Sequence, residues 1–139
     1  MGKEQCICLL TAHGVKPTAN RIVIAEALAA ADCPMSVKEL EYSILSIDKS
    51  NIFRTLMLFK AHHLVHVIED GNGSVKYELC LSHDDKEDED EHLHFFCEQC
   101  HKTFCLHDIP VPNISLPADY ELRSINCVVK GLCPKCRKQ

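Results

Sequence analysis

Two cysteine pairs, Cys97-x2-Cys100 and Cys133-x2-Cys136, constrain this chain more than any other feature. Two residues between cysteines let a tight turn aim both sulfurs at one ion. Two such turns complete a tetrahedral four-sulfur set of the kind that holds a structural zinc. The intervening segment, residues 101–132, must therefore contain strands that bring the turns together. A closed four-cysteine set leaves no coordination position open, which argues against a catalytic metal there. Two redox pairs, or cysteines buried as small hydrophobes, are the other readings of this spacing. Composition favours the metal: 10 Cys and 9 His occur among 139 residues with 6% aromatics and no Trp.

The rest of the composition describes an ordinary globular chain, 46% hydrophobic and 25% charged. No stretch approaches the roughly 18 consecutive apolar residues of a membrane helix. The first residues also lack the basic and apolar blocks of a secretory signal. The expectation is a cytoplasmic protein with no membrane partner, its thiols reduced and available to a metal. The net charge of −5 resides in residues 84–91, where seven acids stand against one Lys. Without that run the remainder is weakly positive, so the global sign does not exclude nucleic acid. The run reads as a solvated linker held extended by repulsion. No nucleophile motif, Gly-rich phosphate loop or spaced carboxylate pair is present, so the chain does not read as an enzyme.

Local signals organise the first half. Residues 4–13 form a helix with Ile7, Leu9 and Leu10 inward, ended by Gly14. Thr18 caps a second helix carrying Ile22, Ala25, Leu28 and Ala29, and Asp32-Cys33-Pro34 stops it. Ser36 with Glu39 is a capping box for a third, with Val37, Leu40, Ile44 and Leu45. Asp48 caps a fourth, whose inner face is Ile52, Phe53, Leu56 and Phe59. Strand-like residues 64–68 and 75–79 then flank Asp70-Gly71-Asn72-Gly73, a hairpin-turn sequence. The helical periods alone would suit any small bundle, but helices closed by a hairpin describe a winged helix-turn-helix.

The second half predicts paired strands over 92–97 and 102–107 across the first cysteine turn, and a third strand over 120–130. Pro110, Pro112 and Pro117 leave little room for a helix between them. This half is too small to bury a good core unaided and needs a metal, a partner or both. The fold class is α+β, with a winged-helix domain over 1–80, an acidic linker over 81–91 and a small β-rich, zinc-stapled domain over 92–139.

Two further groups of residues carry chemistry. His66, Cys80, His92 and His94 form a second candidate metal set. His92 and His94, two apart on a strand, face one way, while His66 and Cys80 lie in the hairpin strands. Three nitrogens and one sulfur suit zinc better than iron or nickel. Isolated surface histidines are the plain alternative. Cys33 and Cys105 stand as spare ligands, whereas Cys6, Cys8 and Cys127 read as packing residues. His62, His63, His83, His101 and His107 read as surface groups, and His13 as a cation at a helix end. Lys16, Arg21, Lys49, Arg54 and Lys60 cluster about the second and fourth helices, where cations can follow a phosphate backbone. Ser50, Asn51, Phe53 and Arg54 fill the first turns of the fourth helix, where a recognition helix makes base contacts. An amphipathic helix with solvated charges would show the same pattern.

With these residues in place, the chain resembles the ferric uptake regulator family of metal-sensing repressors. The family's Lys-x-Thr-x-x-Arg segment is matched by Lys16-Pro17-Thr18-Ala19-Asn20-Arg21, and its Thr-Val-Tyr-Arg by Asn51-Ile52-Phe53-Arg54. A Gly-containing wing follows, then a His-rich strand running into Cys97, then the second Cys-x2-Cys. The resemblance implies a homodimer whose second domain dimerises. It implies binding to AT-rich palindromic operator DNA when a regulatory metal is held at the hinge, with one structural zinc per chain besides. By resemblance Lys16 enters the minor groove, and Phe53 and Arg54 face the major groove, with Thr18, Arg21, Ser50 and Asn51 beside them. The chain departs from the family in Phe53, which lacks the usual hydroxyl, in the acidic run, and in the prolines that replace a helix of the dimerisation domain. Iron and manganese sensors present a His and an acid where this chain has Pro34, beside Cys33, and Cys105. The zinc uptake regulator branch instead uses positions matched by His66, Cys80, His92 and His94. The resemblance therefore favours a zinc-responsive repressor, with Glu78 a further candidate ligand. An iron or peroxide sensor of the same family, or a zinc-stabilised interaction module that never touches DNA, are the alternatives.

Overall fold

Three side chains start three helices in the first half of the chain. Thr18 Oγ1 accepts from the Arg21 amide at 3.4 Å and opens α2 (Ala19–Ala30). Ser36 Oγ accepts from the Glu39 amide at 3.1 Å while Glu39 accepts from the Ser36 amide at 3.3 Å, closing the capping box of α3 (Val37–Ile44). Asp48 Oδ1 accepts from the Asn51 amide at 3.2 Å and opens α4 (Lys49–Ala61). Ahead of them lies α1 (Lys3–Ala12). Ser36→Ala removes the reciprocal pair from an exposed helix start. It should cost about 0.5–2 kcal/mol of stability, read as a lower denaturation midpoint of the full chain at unchanged slope.

The computed structural model describes residues 2–31, 33–69, 75–79, 92–123 and 125–138. The chain divides into two compact units, Met1–Lys86 and Glu87–Gln139. The turn at 70–73, Cys80 and the acidic linker over 81–91 lie outside the described residues.

In the first unit, four helices pack around Leu10, Ile24, Leu40, Ile52, Leu56, Phe59 and Leu64, all fully buried. Strands β1 (Met35–Ser36), β2 (Val65–Glu69) and β3 (Val75–Leu79) form an antiparallel sheet in the order β1-β3-β2. One sheet face, Val65, Val67, Tyr77 and Leu79, closes the core. This is the winged helix. The two-residue β1 was not among the sequence expectations; it is too short to show a period of two.

Three side chains depart from the expected inner faces. Phe53 is 48% exposed and Leu45 84% exposed, and Cys8 is exposed. Ile52, Leu56 and Phe59 repeat at four and three residues and so occupy one stripe of α4. Phe53 lies one residue round, about 100° away. Leu45 caps the C-terminal end of α3 at φ 55, beyond the last residue whose direction the helix sets. Cys6, by contrast, is fully buried, and burial raises its thiol above the ordinary value.

The histidines expected at the surface include one designed contact. His13 Nδ1–H donates to the His62 carbonyl at 3.1 Å, and His62 Nδ1–H donates to the His13 carbonyl at 3.0 Å. Each ring thus satisfies a carbonyl at the other helix's C-terminus, tying the ends of α1 and α4 together. Gly14 beside them adopts φ +76, the left-handed conformation that suits glycine, so the expected helix stop is made.

In the second unit, β4 (His92–Cys97) is central, antiparallel to β5 (Thr103–Pro110) and parallel to β6 (Val128–Gly131). A short helix α5 (Pro134–Arg137) ends the chain. The third strand is four residues long rather than spanning 120–130. Ahead of it, Tyr120 turns back to donate its amide to the Pro117 carbonyl at 3.0 Å, and Tyr120 and Leu122 are exposed. No described residue between 111 and 123 is helical, in line with the prolines. The core of this unit is Cys97, Cys133 and Cys136 with Phe95 and Phe104 packed on them.

Candidate metal centres and recognition helix

Cys97 ends β4, Cys100 closes the turn after it, and Cys133 and Cys136 flank the start of α5. The four sulfurs lie within 4.8 Å of one another, and Cys100 Sγ and Cys133 Sγ are 3.9 Å apart. A tetrahedron with Zn–S bonds of about 2.3 Å has edges of about 3.8 Å, so this spacing fits a zinc ion. The turns also supply amide donors. Cys97 Sγ accepts from the Cys100 amide at 3.5 Å and from the Cys133 amide at 3.4 Å. Chiefly through the Cys100 amide, its pKa is lowered to about 6. Burial and then its neighbouring sulfurs push Cys136 up to about 12. Four thiolates this close repel one another, and a divalent cation is the group that lets all four ionise together. The expected four-cysteine set is thus brought together, as thiols suited to zinc.

The second candidate set is described in two halves. In the first unit, His66 on β2 lies directly opposite Glu78 on β3. Their sheet face is the one turned away from the helical core, yet His66 is buried at 6% exposure. Cys80 lies outside the described residues. In the second unit, His94 on β4 is buried, and its direct partner across the antiparallel ladder is Cys105 on β5. The imidazole and thiol donor atoms lie no more than 4.8 Å apart. Of His92 only the backbone is described, and the β4–β5 register shifts between His92 and Leu93. A shift of this kind interrupts the alternation on which the expected pairing of His92 with His94 rests.

Sequence reasoning left Cys105 as a spare cysteine, although the signal for its placement was present. Strands 92–97 and 102–107, folded back on the Cys97 turn, put residue 94 opposite residue 105. The Cys97 amide does close on the Lys102 carbonyl at 2.9 Å.

The start of α4 presents the polar residues expected of a recognition helix. Ser50, Asn51, Phe53 and Arg54 are all exposed. Arg54 Nη2 donates to Asn51 Oδ1 at 2.8 Å, which holds both side chains over the first turn. Val37, Lys49, Ser50, Phe53 and Arg54 line a shallow open cavity of about 350 Å³. Cations and an aromatic edge share it, a mixture suited to phosphate and base edges together. Lys16 is exposed, whereas Arg21 is half-buried and its Nη1 donates to the Lys16 carbonyl at 3.0 Å. Thr18 and Arg21 therefore shape the loop that presents Lys16.

The ferric uptake regulator family profile matches residues 12–125, most of the chain. The chain belongs to the ferric uptake regulator family. Among solved structures, a zinc uptake regulator complexed with zinc and DNA is similar at a TM-score of 0.68 and 18% identity, covering 98% of this chain and 93% of that one. The ferric uptake regulator of Helicobacter pylori, with three functional metal-binding sites, is similar at a TM-score of 0.63 and 16% identity, covering 100% and 96%. The Vibrio cholerae ferric uptake regulator is similar at 0.64 and 20% identity, covering 91% and 98%. At these identities the likeness establishes the fold, which in each case extends over nearly the full length of both chains. No curated protein sequence matches. Among the described residues no helix is long and apolar enough to cross a membrane.

Proposed function

We propose that this chain is a cytoplasmic, zinc-responsive transcriptional repressor that binds palindromic, AT-rich operator DNA as a homodimer. The observation that carries the reading is the exposed set Asn51, Phe53 and Arg54 at the start of α4, on a winged helix of this family. The similar zinc uptake regulator bound to zinc and DNA supports it. On this reading residues 1–80 bind DNA, 81–91 link, and 92–139 dimerise and hold one structural zinc at Cys97, Cys100, Cys133 and Cys136. A second, exchangeable zinc is the effector, and its ligands are His66, Cys80, His92 and His94. When bound, it supplies a cross-link among side chains distant in sequence. The protein's own part is a two-state equilibrium that metal biases toward the DNA-competent state.

Glu78, an oxygen donor directly opposite His66, favours an iron-type effector as the second reading. Thiolates disfavour it, because soft sulfur ligands select zinc over the harder metals. Zinc requires neutral imidazoles and ionised thiols, so protons compete with it. Affinity for the exchangeable metal should therefore fall as pH drops through about 6–7, with operator affinity following it down.

A random-duplex selection with the zinc-loaded full chain, repeated after mild chelation, tests the whole reading. The expected result is a palindromic, AT-rich consensus recovered only with zinc. Enrichment of no duplex under either condition leaves a zinc-stapled interaction module in place of a repressor. Enrichment restored by iron(II) and not by zinc establishes the second reading.

A further inference from the structure

We propose that Cys105 is a ligand of the exchangeable metal, acting with His94 as a thiolate–imidazole pair across the β4–β5 ladder. The inference rests on the metal-responsive reading above and revises its ligand set. Directly opposite residues of an antiparallel pair share a sheet face with their β-carbons about 4.5–5.5 Å apart. His94 and Cys105 hold that relation, with donor atoms within 4.8 Å.

The two faces of this hairpin are chemically distinct. Phe95 opposite Phe104 packs on the cysteine cluster of the structural site. Residues 94 and 105 alternate to the other face, so their donors belong to a different site from the four-cysteine one. On that face His94 Nε2 is fully shielded from solvent, and the neighbouring pair Phe96 and Thr103 is buried. A buried imidazole beside a half-buried thiol is costly as packing and well suited to a metal.

The placement of the pair is also rigid. β4 is the central strand, bonded on one side to β5 and on the other to β6, and the His94 amide donates to the Cys127 carbonyl at 3.1 Å. Beyond Leu93 the ladder loses register. The regular ladder thus ends just past His94 and still contains Cys105. A second thiolate beside Cys80 would give the regulatory set two sulfurs, which deepens its preference for zinc over manganese or iron.

The test uses the full chain with its structural zinc in place. A competing chelator measures exchangeable zinc affinity in the parent, in Cys105→Ser and in Cys105→Asp. Cobalt(II) substituted for the exchangeable zinc reports thiolate ligation through sulfur-to-metal charge-transfer absorption. Cys105→Ser should weaken exchangeable zinc about tenfold or more and reduce that absorption, while the structural zinc and far-ultraviolet circular dichroism stay unchanged. Cys105→Asp should restore a ligand and shift preference toward manganese(II), a change that a packing role would not produce. A third measurement needs no variant: exchangeable zinc should protect Cys105 of the parent from alkylation, and mild chelation should remove that protection. Unchanged zinc affinity and cobalt absorption in Cys105→Ser overturn the assignment while leaving the regulator reading intact. Equal alkylation with and without zinc does the same, even if both variants fail to fold. Absence of any exchangeable zinc in the parent removes the regulator reading itself, and this assignment with it.

Discussion

Replacing Cys136 by serine is expected to strip the structural zinc, unfold the second unit and abolish the dimer. The reason lies in what that unit buries. Its apolar core among the described residues is three cysteines, Phe95, Phe104 and Phe96, with Ile109, Ile114, Leu116, Tyr120 and Leu122 all exposed. A core of that size cannot offset the chain entropy of ordering some fifty residues, so metal binding must act as folding energy. Serine keeps the shape of Cys136 while removing a soft ligand. Its neighbours would be left as three sulfurs crowded within 4.8 Å, short of a closed coordination sphere. Native mass spectrometry should show the parent as a dimer with one chelation-resistant zinc per chain, and Cys136→Ser as a zinc-free monomer. The first unit holds its own core of buried Leu, Ile and Phe, so part of the helical circular dichroism should survive. A Cys136→Ser dimer still carrying one tightly bound zinc per chain would contradict the staple.

How much was legible in the sequence divides along the reach of the interactions. Helix starts were legible because their determinants lie within three residues: Thr18 to Arg21, Ser36 to Glu39 and Asp48 to Asn51 all make the bonds that their spacing implies. The four-cysteine cluster was legible because tetrahedral ligation demands those turns. The outward turn of Phe53 was less so, since an aromatic beside Ile52 reads as core until the Ile52–Leu56–Phe59 stripe is drawn. The His94–Cys105 pair depends on which residues the first cysteine turn places opposite each other, a long-range property that strand propensity does not carry. The length of β6 was misread for the same reason: residues 120–127 are apolar enough for a strand but have no ladder of their own there.

Replacing Arg54 by alanine is expected to weaken specific operator binding by about 1–3 kcal/mol, roughly 10- to 100-fold, with the loss concentrated at one base pair of each half-site. Arg54 lies one turn into α4, exposed, with its guanidinium held against Asn51 at 2.8 Å and its Nε 3.5 Å from the Ser50 carbonyl. That arrangement orients a donor fork before DNA arrives, so less side-chain entropy is lost on contact. Lys16 should behave differently. It is exposed on a loop that Arg21 braces through the Lys16 carbonyl, and a lysine there meets phosphate or the minor groove as a point charge. Lys16→Ala should lower affinity for all duplexes alike and reduce the salt slope by about one, with little change in sequence preference. Phe53→Ala should narrow discrimination at thymine positions, because an exposed ring beside the cavity of Val37, Lys49 and Arg54 can pack on a base methyl. Fluorescence anisotropy with the selected operator, single-base variants and a salt series separates the three effects. Each variant should keep its metals and its dimer, since none of these side chains lies in the buried core. If Arg54→Ala lowers affinity for every duplex equally and leaves the base profile intact, Arg54 contacts phosphate only, and sequence reading must come from other residues of α4.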